Sequence, residues 1–327
     1  MLRHPTQSLY ASCFPMAITT LINVSVDLIN VRDPRFLYFL WAIWWIDVFI
    51  SVLCCWGLVH IMSTLHTHSL SQMTPIWLLP VVTLTVASST GAIISLPLAH
   101  HSPSHALLTT ITSISLLAIG LTLALIIITI YIHRLIVHGL PPGPKILSVF
   151  LPLGPTAQSG IAVLLIGQNL RSLIPLQAVG SSDFWGSRTT AETVYVLCVC
   201  MSFILWSLAV MCILFALLAI YHTLIVRKTR VKFALTFWGL VFPNGVFANL
   251  TIHLSKTFDS GFLRVLGSVY AIATFAVWIF VAVQTVSVVC DGSIFDEDLD
   301  DIEQGAKRGR SESREPLLGN EALVEYQ

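Results

Sequence analysis

Four apolar stretches of this chain carry clusters of small neutral polar residues close to a proline. Ser12, Thr19, Thr20 and Asn23 surround Pro15; Ser88, Ser89, Thr90 and Gly91 follow Pro80; Gln158, Ser159 and Gly160 follow Pro152; Asn244, Gly245 and Asn249 follow Pro243. Hydroxyls, amides and the backbone N–H groups beyond a kink can replace part of an anion's hydration shell without trapping it, which is the chemistry of passage. Gly, Ser and Thr also serve tight contacts between membrane helices, so any one of them reads first as packing. Four clusters at matching depth read as the lining of a path. The candidate anion contacts are Ser88, Ser89, Gln158, Ser159, Asn244 and Asn249.

Asp47, within Trp44-Trp-Ile-Asp47, is the only acidic residue near the centre of an apolar stretch. A carboxyl at that depth is paired, protonated or used for proton coupling. Its stretch has no proline and is expected to be an outer helix, which favours a hydrogen-bonded structural role. His133 with Arg134, and His253 with Lys256, close two other stretches, as anchors of helix ends or as vestibule charges. His100, His101 and His105 cluster beside Ser102-Pro103 in a loop, without the convergent carboxylates that would complete a metal centre. No nucleophile elbow, phosphate loop, dinucleotide fingerprint or zincin motif occurs, so no enzyme, cofactor or metal is expected.

Positioning these groups falls to the apolar stretches. Of 327 residues, 55% are hydrophobic and 10% charged, and mean hydropathy is +0.82, values that ordinary soluble domains do not approach. At about 20 apolar residues per crossing, eight spans fit, at 8–30, 36–63, 74–96, 105–133, 145–168, 191–222, 233–254 and 262–288. The expected fold is an all-α polytopic membrane protein with eight transmembrane helices in four hairpins. In each hairpin a helix broken near its middle by Pro15, Pro80, Pro152 or Pro243 precedes a straight one. An interior proline removes a backbone donor and displaces the carbonyl four residues back, here that of Ala11, Ile76, Ser148 or Gly239. Hydrocarbon cannot satisfy such groups, so the broken helices are expected to ring a wet path and the straight ones to face lipid.

Formal net charge is zero, but eleven of the seventeen acidic residues lie beyond residue 288. Residues 1–288 hold thirteen Lys/Arg against six Asp/Glu, a balance compatible with anionic cargo; no nucleic-acid partner is expected. An even number of spans places both termini on one side, and the loop charges lean slightly toward cytoplasmic termini. Residues 289–327, acidic at Asp296-Glu-Asp-Leu-Asp-Asp301 and then basic, are expected to be a disordered cytoplasmic tail. Six of the seven cysteines and the sequons at Asn23 and Asn249 fall within spans, so neither disulfides nor glycosylation are expected there. The opening Met1-Leu-Arg-His-Pro runs almost directly into a span and does not read as a cleaved signal.

Arg3-His-Pro-Thr-Gln-Ser-Leu, Phe14-Pro-Met, Trp44-Trp-Ile-Asp, Met73-Thr-Pro-Ile-Trp-Leu-Leu-Pro, Ala87-Ser-Ser-Thr-Gly, Leu140-Pro-Pro, Ser148-Val-Phe-Leu-Pro-Leu-Gly-Pro and Val241-Phe-Pro-Asn-Gly-Val-Phe-Ala stand in order along the chain. From about residue 3 to 288 the sequence resembles the fungal branch of the tellurite-resistance/dicarboxylate transporter family, which includes sulfite efflux pumps, malic acid permeases and plant slow anion channels. The resemblance implies ten helices in five hairpins, an inner ring of kinked helices about a pore, and frequent assembly as homotrimers. It also implies a phenylalanine that occludes the pore, and the matching position is Phe242. It makes residues 1–288 an anion-transport domain in the plasma membrane, with sulfite efflux the first expectation and C4-dicarboxylate (malate) transport the second. Measured against the family pattern the chain begins at the third helix, so the first hairpin is missing. An incomplete sequence is the expectation drawn from this, and a non-conducting regulatory membrane subunit is the rival.

Overall fold

The computed structural model describes residues 7–28, 34–64, 69–141, 143–174, 186–228 and 233–291. Among the described residues eight α-helices follow in order: α1 (Cys13–Leu28), α2 (Pro34–Thr64), α3 (Leu79–Ala99), α4 (Pro103–His138), α5 (Leu153–Leu173), α6 (Arg188–Tyr221), α7 (Val241–Thr257) and α8 (Gly261–Cys290). Among the described residues there is no strand. Among the described residues seven segments are long and apolar enough to cross a membrane: Ser8–Leu28, Pro34–Thr64, Pro75–Ala99, Pro103–His138, Ile146–Leu173, Arg188–Val226 and Gly261–Cys290. The remaining helix, α7, has 17 residues. Packing divides the chain into two units, residues 1–277, which contain α1 to α7 and the start of α8, and residues 278–327. Apart from its first three residues, 289–291, the expected tail lies outside the described residues, as does 175–185 of the polar loop before α6.

The prolines do not break helices in their middles. Each helix of the proline-bearing set is entered through a tight 3-10 segment: Gln7–Ser12 before α1, Pro75–Leu78 before α3, Gly143–Phe150 before α5 and Leu235–Leu240 before α7. Pro15 and Pro243 are the third residues of α1 and α7, Pro80 is the second of α3, and Pro152 directly precedes α5. This corrects the expectation of a lost interior donor, because a first-turn N–H has no intrahelical acceptor to lose. The carbonyls facing two of the prolines are also satisfied. Ser148 O accepts from Leu151 N at 2.9 Å, and Ile76 O accepts from Leu79 N, through the shorter 3-10 reach.

A threonine then braces three of the four junctions. Thr19 Oγ1 donates to Pro15 O at 3.2 Å and to Met16 O at 2.8 Å; Thr83 Oγ1 donates to Pro80 O at 2.7 Å; Thr156 Oγ1 donates to Pro152 O at 3.1 Å and Leu153 O at 3.0 Å. Hydroxyls that bond back to the preceding turn are satisfied without water and bend the helix slightly. In α7 this brace is missing, and Asn244 Nδ2 donates to Leu240 O at 2.6 Å instead.

Within the first unit α1 packs on α2, α3 on α4 and α5 on α6, each proline-bearing helix with the straight helix that follows it. The start of α8 is tied to α7 by the Tyr270 hydroxyl, which donates to Asn244 Oδ1 at 2.6 Å, and by Phe247 and Tyr270, whose rings lie 5.0 Å apart. Burial separates two helices from the rest: 94% of the apolar core of the α3 segment and 89% of that of α5 are enclosed, against 33% for α2, α4 and α6. The α1 segment, also at 33%, is as open as those outer helices. Small residues permit the close approach. At Gly91 an added β-carbon would collide with Ser113 Oγ and stand 2.5 Å from the Trp44 ring, and at Gly160 it would stand 2.7 Å from Leu250.

α4 starts and stops for local reasons. Ser102 accepts from His105 N at 3.4 Å at the N-cap with Pro103 next, and Gly139, at φ 74°, ends the helix in the left-handed region.

Candidate anion pathway

The proline-bearing helices stand side by side in the order α1, α3, α5, α7, since α1 packs on α3, α3 on α5 and α5 on α7. α1 and α7, at the two ends, make at most marginal contact with each other. Among the described residues the four are therefore a row in which each helix packs on the next. Alternation of the hairpins runs the four helices parallel, so their 3-10 entries and prolines fall at one end of the row.

Phe242 lies at that end. It is half-buried, in the first turn of α7. Its ring faces the start of α5, where a β-carbon added to Gly154 would meet it at ordinary van der Waals distance, 3.6 Å. It also packs against an apolar cluster that includes Met16 of α1 and Val81 and Val82 of α3. From α7 the ring thus meets the start of α5, where Gly154 offers no side chain to stop it.

The candidate anion contacts divide three ways. Gln158 Nε2 of α5 donates to Ser89 Oγ of α3, and Ser89 donates onward to Val86 O at 2.9 Å. Both residues are buried, and they join the two enclosed helices. Ser159, beside them, is fully buried and its hydroxyl has no partner among the described residues. Ser88 points the other way and donates to Ser113 O of α4 at 2.7 Å. Asn244 is committed to Leu240 O and Tyr270, and Asn249 is exposed in a groove with Gly245, Ala248, Ile252, Ala271, Thr274 and Phe275. The structure thus brings Ser89 and Gln158 together, leaves Ser159 buried at the next position of α5, and sets Ser88, Asn244 and Asn249 apart from the pair.

Asp47 is fully buried on the face of α2 that meets α3, one turn from Trp44, whose Nε1 donates to Ala87 O at 2.9 Å. Neither of its carboxyl oxygens has a hydrogen bond among the described residues. The Ser51 side chain, one turn further along α2, is close enough to interact with it, so the hydrogen-bonded role expected of Asp47 has Ser51 as its candidate partner. Of the end-of-span charges, Arg134 is buried and clamps the inter-helix loop, donating to Ser71 O at 2.7 Å and Gly139 O at 2.6 Å.

Sequence reasoning passed over Asn169. It lies just beyond the expected end of its span, yet it is buried in α5 and Nδ2 donates to Ala92 O of α3 at 2.8 Å, with Oδ1 unpartnered among the described residues. The missed signal was an amide within one turn of an apolar run, where helix continuation is inexpensive. Ser202 was missed as well; from α6 it donates to Gly160 O at 2.8 Å, at a point where glycine lets the carbonyl be reached.

Residues 1–286 match the family model described as voltage-dependent anion channel, SLAC1. The chain is 31% identical to the sulfite efflux pump SSU1 of Trichophyton rubrum over 296 residues, covering 90% of this chain and 75% of that protein. It is 23% identical to the malic acid transport protein of Schizosaccharomyces pombe, over 84% of this chain and 61% of that protein. It is 25% identical to the uncharacterized transporter MJ0762 of Methanocaldococcus jannaschii, over 91% and 79%. No solved structure gives a significant match.

Proposed function

The chain belongs to the voltage-dependent anion channel family, and from that premise we propose that it exports sulfite across the plasma membrane, with both termini in the cytoplasm. The path runs along the row α1, α3, α5, α7, and Phe242 is its plug. What supports this reading is the approach of Phe242 from α7 to Gly154 at the start of α5, and its packing against an apolar cluster built from α1 to α4. A single ring at that level can narrow a path that four helices share. Weak, neutral groups such as Ser89, Gln158 and Ser159 suit an anion that must leave as readily as it enters. Assembly as a homotrimer, with one path in each chain, belongs to the same proposal, as does the division into a transport domain, 1–288, and a cytoplasmic tail, 289–327.

The deciding experiment loads proteoliposomes containing the full chain with sulfite and follows its efflux with a thiol-reactive indicator, beside a matched malate efflux assay. Sulfite efflux well above protein-free vesicles supports the proposal. Malate efflux with sulfite retained supports the second reading, which the similarity to a malic acid transport protein favours. Loss of both would leave a regulatory membrane subunit.

A further inference from the structure

The polar groups that the proposed path does not use form a seam along the sides of α3 that meet α2 and α4. α3 itself holds no titratable residue. Where α4 begins, His105 stacks on Trp41 at 4.9 Å and meets Tyr38 edge-on at 5.8 Å, and its Nδ1 has no partner among the described residues. Trp41 Nε1 donates to Thr109 Oγ1 at 2.8 Å. Farther along, the hydroxyls of Ser95 and Thr110 stand 2.8 Å apart. Ser88 donates to Ser113 O, while the hydroxyl of Ser113 is unbonded and packs beside Gly91 and Trp44. One turn of α2 beyond Trp44 comes Asp47, and one turn beyond that comes Ser51, whose carbonyl accepts from Thr83 at 3.3 Å and whose side chain is close enough to interact with Asp47.

Asp47, Ser51, Thr90 and Ser113 are each fully buried and, apart from the interaction between Asp47 and Ser51 one turn on, each carries polar atoms with no partner among the described residues. Hydrocarbon-like surroundings leave few such groups without a reason. A charged carboxylate there needs a cation, and the elements packed on α2 bring none. α3 offers no charge, α1 offers only Cys13 and Asp27, and the 3-10 segment before α1 offers only Tyr10. On α2 itself, Arg35 and His60 lie toward opposite ends, and Cys54 and Cys55 follow Asp47 by about two turns. From α4, His105 reaches Tyr38 and Trp41 and stops there.

We propose that Asp47 is a proton-binding site, loaded along this hydroxyl seam from the end where His105 stands and separate from the Ser89–Gln158 pair. The carboxylate takes one proton from bulk water and returns it, with no other bond made or broken. Serine and threonine hydroxyls both donate and accept, so a file of them can pass a proton that an apolar contact would stop. The consequence for transport rests on the anion reading above: Asp47 lies against α3, which carries Ser89 on another side, so changing its charge biases how α3 sits.

The test uses the full chain in phosphatidylcholine vesicles and infrared difference spectroscopy between neutral and alkaline buffer, which requires no transport. The wild type is expected to show the C=O stretch of a protonated carboxyl at neutral pH, and Asp47→Asn to lack it while unfolding at a similar temperature. A band of equal size in Asp47→Asn would overturn the assignment. The same band shifts in heavy water; Ser113→Ala is expected to slow that exchange severalfold, and equal rates would remove the seam as the route. Sulfite efflux against external pH completes the test, because bisulfite chemistry is common to both proteins. A flatter profile in Asp47→Asn supports coupling, and identical profiles overturn it. Absence of efflux in the wild type would sink the anion reading and leave the infrared result standing.

Discussion

Gln158 of α5 gives its amide N–H to the hydroxyl of Ser89 on α3, a side-chain bond between the two most enclosed helices of the row. The hydroxyl passes its own proton to Val86 O at 2.9 Å, so the pair is satisfied without water. A carboxylate in place of the amide keeps the shape and adds a negative charge in surroundings that exclude its counterions. Gln158→Glu is therefore expected to lower sulfite efflux about tenfold, which is roughly 1.4 kcal/mol of barrier, in the proteoliposome assay. An unchanged rate would move the path away from this pair.

Phe242→Ala is expected to raise anion flux. The ring bridges α7 to the start of α5 and to the cluster around Met16, and its removal opens that end of the row. Because the side chain is only half-buried, the cost in stability is expected near 2 kcal/mol, below the ~3–5 kcal/mol of a fully buried phenylalanine. Current or tracer flux checks the first expectation and thermal unfolding in detergent the second. A faster flux with no loss of stability would mean that the ring is not packed as described.

Replacing the prolines should matter less than an interior kink would. Pro80 occupies the second position of α3, and the carbonyl it would displace is taken by Leu79 N. Pro80→Ala is expected to change stability by less than about 1 kcal/mol, whereas Ala162→Pro, in the middle of α5, is expected to cost ~3 kcal/mol or more. Thermal unfolding of the two variants side by side measures the contrast. A large loss at Pro80 would restore the reading of a strained kink.

Two glycines should respond oppositely to one methyl group. At Gly91 a β-carbon would run into Ser113 and Trp44, and at Gly245 it would meet nothing within 4 Å. Gly91→Ala is expected to destabilise by about 1–3 kcal/mol through overpacking. Gly245→Ala is expected to be neutral or to stabilise by a few tenths, up to about 1 kcal/mol, from helix propensity. Tryptophan fluorescence during denaturation reports the first change directly, since Trp44 is the neighbour that must move.

The sequence by itself determined the spans, because apolar length is a one-dimensional property. Its eight expected segments coincide with the eight helices, taken together with their 3-10 entries, to within about five residues at each end. The pairing of each proline-bearing helix with the next also followed from order alone. The sequence could not place the prolines correctly: a proline in an apolar run looks interior, and only the 3-10 entries reveal that Pro15, Pro80, Pro152 and Pro243 stand in or beside first turns. Nor could it tell Ser88 from Ser89. These neighbours differ by 100° around the helix, and that rotation sends one hydroxyl to α4 and the other to Gln158. Asp47 was legible as an anomaly, yet the absence of a cation on the described elements around it depends on which elements those are. Tertiary packing decided these points because the direction of a side chain has no meaning until its neighbours are fixed.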